Sequence, residues 1–266
     1  MERHDRSGRR GGNDVAGDAT ARNIGLRPRL SQLDLWGRHA MSVMAVLLHA
    51  LRLFATDCPA ELHVETEMTR ELYLRILTAR RALLNAGEWV PDGLPTLDGR
   101  NSPTPDTAGT SAERKLPDIQ WGYQDDLEPD PQKSARFFHV ECKRLGGADL
   151  NSKYVDEGVM RFVSSGHRYG KDVREGAMVG YLVEGKTSDA LAGVNQRSAT
   201  AGLPGVTLVS DSVQVSILEN TLERTFPRSP FKLHHAWVII YGPVPGDSEI
   251  TLDKAPSGAE AVVTAV

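Results

Sequence analysis

The chain has little cysteine and no long apolar run. Only Cys58 and Cys142 occur among 266 residues, too few for a disulfide framework or a cysteine-rich zinc site. The most apolar run, residues 41–54, contains His49 and Arg52, and so falls short of the roughly 18 uninterrupted apolar residues that a membrane helix needs. These absences exclude a disulfide-rich scaffold and predict that the chain does not span a membrane.

Two enzyme signatures are also missing. The sequence contains no Gly-x-Ser-x-Gly elbow, which disfavours a serine hydrolase. It contains no Gly-x-x-x-x-Gly-Lys-Ser/Thr run, so any ATP dependence would have to come from a partner. Residues 1–10 are charged and no apolar segment follows them, which predicts no secretory signal and a cytoplasmic location.

Charge is unevenly distributed along the chain. The formal net charge of −4 argues against a protein that coats nucleic acid nonspecifically. Residues 88–130 hold ten acidic and three basic side chains, whereas residues 133–175 hold nine basic and six acidic ones. An acidic pocket beside a basic strip would suit a metal site next to a phosphate track, although scattered solvated charge gives the same counts.

The domain organisation follows from composition. Residues 1–30 lack apolar periodicity and are predicted to be a disordered tail. Residues 31–245 are predicted to form a single domain, interrupted at about residues 85–115 by an irregular insertion rich in Pro and Gly. Residues 246–266 are predicted to be a C-terminal tail.

Apolar spacing predicts the secondary structure. Stripes at helical spacing predict helices at residues 31–55 and 59–84, and a third helix is expected at residues 152–165. Strands are predicted at residues 118–123, 135–143, 177–183 and 236–241, and one or two strands at residues 206–218. This order predicts an α/β fold with a mixed central sheet flanked by helices.

The residues that suggest chemistry lie on two successive strands. Pro117-Asp118 opens one strand, and Glu141-Cys142-Lys143 ends the next. Glu141 and Lys143 are two residues apart and therefore share a face of the strand. Two carboxylates and the Cys142 carbonyl would form an oxygen cage suited to magnesium or manganese, and the ammonium could orient a water. An ordinary exposed Glu–Lys pair at a strand end is the alternative explanation.

Pro117-Asp118, followed after 23 residues by Glu141-Cys142-Lys143, resembles the motif of the PD-(D/E)xK nuclease superfamily. The resemblance implies a restriction-endonuclease-like fold, with a core of helix, three strands, helix and strand over about residues 61–184. It also implies that Asp118 and Glu141 hold the metal ion and that Lys143 assists the attacking water. The chain departs from the pattern in its first strand, for which only residues 87–90 are available.

Members of this superfamily often carry a further glutamate on the first core helix. The candidates are Glu61, Glu65, Glu67 and Glu71. The apolar stripe of the predicted helix points in the direction of Glu65, whereas Glu67 faces the opposite side. A carboxylate within a buried stripe is costly unless it is paired or metal-bound, so Glu65 is predicted to support the metal cage. A side chain that reaches solvent at the end of the stripe is the alternative.

The third helix carries the predicted nucleic-acid contacts, which are Arg161, Lys153 and Tyr154. Gly158 and Arg161 lie on one line of this helix, where the glycine permits close approach and the arginine could grip a phosphate. Alternatively, Gly158 serves tight packing and Arg161 pairs with Glu157. His234 and His235 are predicted to have a structural or surface role.

The sequence therefore predicts a magnesium- or manganese-dependent nuclease that acts on DNA, with RNA not excluded. Phage defence or restriction is the expected setting by analogy with the resemblance alone, and an ATPase, a helicase or a second copy of the chain is the expected protein partner. The first rival is a nuclease-like module that binds nucleic acid or a partner without cutting. The second rival is a plain α/β domain in which the motif arose by chance.

Overall fold

Two long helices come first in the fold. The computed structural model describes residues 27–57, 62, 64–99, 114–126, 128–226 and 228–240. Helix α1 spans Arg27–Asp57 and helix α2 spans Glu65–Asn85. The start of α1 lies four residues before the predicted start at residue 31, and the rest of the predicted N-terminal tail lies outside the described residues, as does the predicted C-terminal tail.

Helix α1 is a core helix. The residues of its apolar stripe that are wholly buried are Val43, Val46, Leu47, Ala50, Leu51 and Phe54. This stripe contacts α2 and the sheet. Among the described residues, the stretch Leu35–Asp57 is long and apolar enough to cross a membrane, with 23 residues and a mean hydropathy of 1.4. A buried core helix has the same composition, so the packing of the stripe accounts for it without a membrane.

A mixed sheet forms the centre of the molecule. Its strands are β1 (Thr96–Leu97), β2 (Ile119–Gln124), β3 (Ala135–Leu145), β4 (Glu175–Leu182), β5 (Thr207–Asp211), β6 (Val215–Leu222) and β7 (Phe231–Ile239). The order across this seven-stranded sheet is β1-β2-β3-β4-β7-β6-β5. Strands β3, β4 and β7 are parallel, while the flanking pairs are antiparallel. The predicted α/β class with a mixed central sheet is confirmed.

A composite helix connects β3 to β4. It consists of α3 (Ala148–Lys153), a π-helical stretch (Tyr154–Val159) and α4 (Met160–Val163). Helix α5 (Thr187–Thr200) follows β4 and was not predicted from the sequence. Its buried side chains are only Ala190, Val194 and Ser198, which repeat every four residues but are too small and weakly apolar to mark a stripe.

The sequence offers no clear first strand, and residues 87–90 are the only stretch available for one. These residues form no strand, and the first strand is β1, whose Thr96 and Leu97 pair with β2. Trp89 is 51 % exposed, and Pro91 lacks the N–H that a strand ladder would use. The chain therefore joins the sheet only after this proline, through a strand of two residues.

The two faces of β3 meet different helices. The side chain of Cys142 lies on the face covered by α1 and α2, where it contacts Tyr181, whose hydroxyl donates to Thr69 of α2. Glu141 and Lys143 lie on the opposite face, under the composite helix. The motif is thus at the interface between the sheet and this helix.

Candidate active site

The site forms at the end of the β2–β3 ladder, where β2 begins and β3 continues past it. Strand β2 pairs with β3 as far as Ile119 opposite Val140, and β3 runs on to Leu145. Asp118 stands at the beginning of β2, and its Oδ2 accepts a hydrogen bond of 2.7 Å from the backbone N–H of Cys142. A carboxylate therefore satisfies a backbone donor that the strand ladder leaves unpaired.

Glu65 reaches the same edge from α2. It is the first residue of that helix, and its Oε2 accepts from the backbone N–H of Arg144 at 3.1 Å. Its Oε1 accepts from Lys143 Nζ at 2.7 Å. Glu67 is exposed. The structure thus brings Glu65 to the motif and leaves Glu67 outside it, as the helical phase predicts.

Glu141 is the most buried member of the cluster, with 0 % exposure. Its Oε1 receives Lys143 Nζ at 3.1 Å and is also contacted by Arg161 Nη1. Its Oε2 has no hydrogen-bond partner among the described residues. Asp118 lies one residue beyond the last pair of the β2–β3 ladder, Ile119 opposite Val140, and is near enough for its charge to affect Glu141.

Burial sets the protonation of the cluster. Burial, reinforced by the negative charge of Asp118, raises the pKa of Glu141 to about 8, although Lys143 and Arg161 act in the opposite direction. Burial likewise raises the pKa of Asp118. Burial alone would lower the pKa of Lys143, but the carboxylates of Glu141, Asp118 and Glu65 outweigh it and raise that pKa. Lys143 is therefore a protonated ammonium at neutral pH.

Gly158 allows the composite helix to lie directly on Lys143. A Cβ at this position would come within 2.5 Å of Met178 Cε and 3.3 Å of Lys143 Cγ. Of the two interpretations of Gly158, tight packing against the sheet is the one that these distances support. Arg161, one turn later, pairs with Glu141, so the alternative pairing with Glu157 is wrong.

Tyr154 is not a nucleic-acid contact, and that prediction is wrong. Its side chain is wholly buried, and its hydroxyl lies 2.7 Å from His235 Nδ1 and accepts from Trp237 Nε1 at 3.0 Å. Burial lowers the pKa of His235 to about 3, so this imidazole is neutral and structural, as predicted. Lys153 is exposed, and its predicted role on a phosphate backbone stays a prediction.

Two residues that sequence reasoning missed support Arg161. The buried Tyr169 hydrogen-bonds to it through the side chain. Arg224 holds the loop that carries Tyr169, since its guanidinium donates to the carbonyls of Phe162, Tyr169, Gly170, Val173 and Arg228 at 2.7–3.2 Å. Neither residue lies near the motif in the sequence, and no local pattern marks them.

The oxygen donors fit a hard divalent cation in their chemistry. Asp118, Glu141 and the Cys142 carbonyl are the kind of ligands that magnesium and manganese prefer, and Glu141 Oε2 is a buried acceptor without a partner in the described part of the chain. Within that part, no group of three or more His, Cys, Asp or Glu side chains is arranged to hold a metal ion. Glu65 is engaged with Lys143, and Arg161 lies on Glu141, so binding would require one of these cations to move.

No protein-family model, curated protein or solved structure matches the chain.

Proposed function

We propose that the chain is a divalent-metal-dependent nuclease that hydrolyses phosphodiester bonds of DNA, with RNA not excluded. The observation that carries the proposal is Glu141, a wholly buried carboxylate with one oxygen that has no hydrogen-bond partner among the described residues. It pairs with Lys143 and lies near enough to Asp118 for their charges to interact. Burying a carboxylate is costly unless it is paired or coordinates a metal. A buried cluster of this kind within β3, beside the end of the β2–β3 ladder, is more readily explained by chemistry than by stability.

The order of elements supports a restriction-endonuclease-like fold as part of this proposal. Helix α2 precedes the antiparallel strands β1, β2 and β3, and the composite helix then leads to β4, parallel to β3. This is the helix, three strands, helix and strand that the resemblance implies. Strand β1 takes the place of the missing first strand.

Each residue of the proposed site has a distinct role. Asp118, Glu141 and the Cys142 carbonyl would hold magnesium or manganese, and Glu65 would keep Lys143 in position. The bound cation would supply Lewis-acid stabilisation of the charge that develops on the phosphate. In the metal-free protein the neighbouring carboxylates raise the pKa of Lys143. Its ammonium would orient the attacking water and stabilise negative charge on the phosphate.

A module that binds nucleic acid without cutting it is the second candidate function. In its favour, Lys143 and Arg161 already pair with Glu141 without any metal. Against it, buried ion pairs can often be replaced by apolar residues without loss of stability, so structure alone gives no reason to keep three acids and a lysine. Phage defence or restriction, and a partner such as an ATPase or a helicase, are parts of the proposal that rest on the resemblance alone.

The substitution Lys143→Ala tests whether the protein is a nuclease that uses Lys143 in catalysis. We expect cleavage to fall by about 100-fold or more, because charge stabilisation in the transition state is lost, while nucleic-acid binding falls much less. Plasmid, linear duplex, single-stranded DNA and RNA would each be incubated with magnesium, manganese or chelator. Lys133→Ala is the matched control, since Lys133 is a 66 % exposed lysine that pairs with Asp130 and does not contact the cluster.

Two outcomes decide between the candidates. If the wild type and Lys143→Ala cut equally wherever cutting occurs, the role of Lys143 is wrong. If neither protein cuts any substrate while both bind nucleic acid, the binding module is the better account. A thermal melt of each variant shows whether the fold survives the substitution.

A further inference from the structure

The Arg161 guanidinium lies between the buried cluster and the protein surface. Its inner side contacts Glu141 Oε1, and the Arg161 side chain is 25 % exposed whereas that of Glu141 is wholly buried. On its outer side, Arg161 lines an open groove of about 490 Å³ together with Ser164 and His167. Two acidic residues also line this groove: Glu157, and Asp156, which pairs with Arg197. The cation therefore has a carboxylate on one side and a solvent-accessible space on the other.

The position of Arg161 in the fold permits it to move. It lies in the last turn of the composite helix, which ends at Val163. A long side chain at a helix end can change rotamer without disturbing the sheet beneath it, although Arg161 must then give up its side-chain hydrogen bond with Tyr169. The guanidinium fork also suits both a carboxylate and a phosphate, so either partner can satisfy it.

The net charge of the cluster shows why a bound cation would favour the movement of Arg161. With every group ionised, the carboxylates of Asp118, Glu141 and Glu65 outweigh Lys143 and Arg161 by one negative charge. A divalent cation added to this set would leave one excess positive charge. If Arg161 leaves as the cation arrives, the cluster is neutral.

We propose that Arg161 is a displaceable counter-ion, which occupies the cation position beside Glu141 in the resting protein and moves onto a phosphate of the nucleic acid when a divalent cation replaces it. The inference rests on the proposed function. Cation and phosphate then bind cooperatively, because each favours the same outward position of Arg161, and the coupling is reciprocal.

The test is calorimetric titration of the full chain with Mn²⁺, with and without thymidine 3′,5′-bisphosphate, which carries two phosphates and no phosphodiester bond to cut. For the wild type, the bisphosphate should tighten Mn²⁺ binding by roughly tenfold, within the range typical of coupled sites. Arg161→Gln should bind Mn²⁺ roughly tenfold more tightly than the wild type without the bisphosphate, and should gain much less from it.

Arg75→Gln is the matched control, because Arg75 pairs with Glu71 on α2, is 24 % exposed and does not line this groove. It should behave as the wild type does, and Glu141→Gln should lose Mn²⁺ binding. If Mn²⁺ binds through Glu141 but Arg161→Gln binds it no more tightly than the wild type, Arg161 is a fixed structural partner and this inference fails while the proposed function stands.

If no protein shows Mn²⁺ binding that depends on Glu141, both proposals fail. Thermal melts in chelator guard against misfolding, since Arg161→Gln leaves Glu141 less well neutralised. Should this variant not fold in chelator, its recovery by Mn²⁺ supports the inference and the lack of recovery overturns it.

Discussion

Glu141→Gln should change how stability depends on pH, because it replaces the most buried acid of the cluster with a neutral side chain of the same shape. In the metal-free protein, burial raises the pKa of Glu141 from 4.5 to about 8. The folded chain then holds a proton that the unfolded chain has already released. The stability due to this group is fully present below pH 4.5 and is lost as the pH rises through about 8.

The magnitude follows from this window. Each pH unit within it costs the wild type about 1.4 kcal/mol of folding free energy, whereas glutamine does not titrate. Between roughly pH 6 and pH 7.5 the wild type should therefore lose about 2 kcal/mol relative to Glu141→Gln. Added Mn²⁺ should reverse the order, since a ligand at 100 times its Kd stabilises the protein that binds it by about 2.7 kcal/mol and only the wild type retains Glu141.

Urea unfolding of both proteins across this pH range, in chelator and then in Mn²⁺, measures these differences. Glu67→Gln is the control, because Glu67 is an exposed glutamate on α2, and its difference from the wild type should not vary with either condition. A difference between wild type and Glu141→Gln that stays constant with pH would show that Glu141 is ionised throughout and would refute the burial argument. Equal stabilisation of both proteins by Mn²⁺ would remove Glu141 from the metal site.

Two further predictions concern the surroundings of the site. Tyr154→Phe should lower the unfolding free energy measured in urea by about 1–3 kcal/mol, because the buried polar groups of His235 and Trp237 lose a partner. Its affinity for nucleic acid, measured by filter binding, should not change. Weaker binding by a stably folded variant would restore Tyr154 as a nucleic-acid contact. Arg224→Lys should lower the unfolding free energy, also measured in urea, by about 3 kcal/mol, because an ammonium cannot satisfy all the backbone carbonyls that the guanidinium bridges. A loss under about 0.5 kcal/mol would show that these hydrogen bonds do not hold the loop.

Those parts of the fold that depend on apolar runs could be predicted from sequence. The predicted bounds of strands β2, β3 and β4 agree with the observed bounds to within two residues, because these buried strands are marked by apolar runs. Strand β7 begins five residues before the predicted start at residue 236, because its first half contains Lys232, His234 and His235. Glu65 could be chosen over Glu67 because α2 is a regular helix with a single buried stripe. In both cases the information is local.

Tyr154 shows where local reasoning fails. The prediction assumed the phase of an α-helix, but residues Tyr154–Val159 are π-helical. A π-helical turn closes i to i+5 and contains more residues, so neighbouring lines of side chains can face the sheet together. Both Tyr154 and Val155 are consequently buried. Arg224 could not be predicted for a different reason, because its partners lie about 50–60 residues earlier in the chain.

The charge of the cluster links the proton, the metal and Arg161. When ionised, the described cluster of Asp118, Glu141, Glu65, Lys143 and Arg161 carries one excess negative charge. A proton on Glu141 neutralises it, and so does the exchange of Arg161 for a divalent cation. The two routes compete for the same carboxylate, so metal binding must release a proton and must strengthen as the pH rises toward 8. A purely structural ion cluster can be neutralised only by the proton, so it would show no pH-dependent metal binding. The pH dependence of metal binding therefore distinguishes a nuclease from a scaffold that carries the same motif.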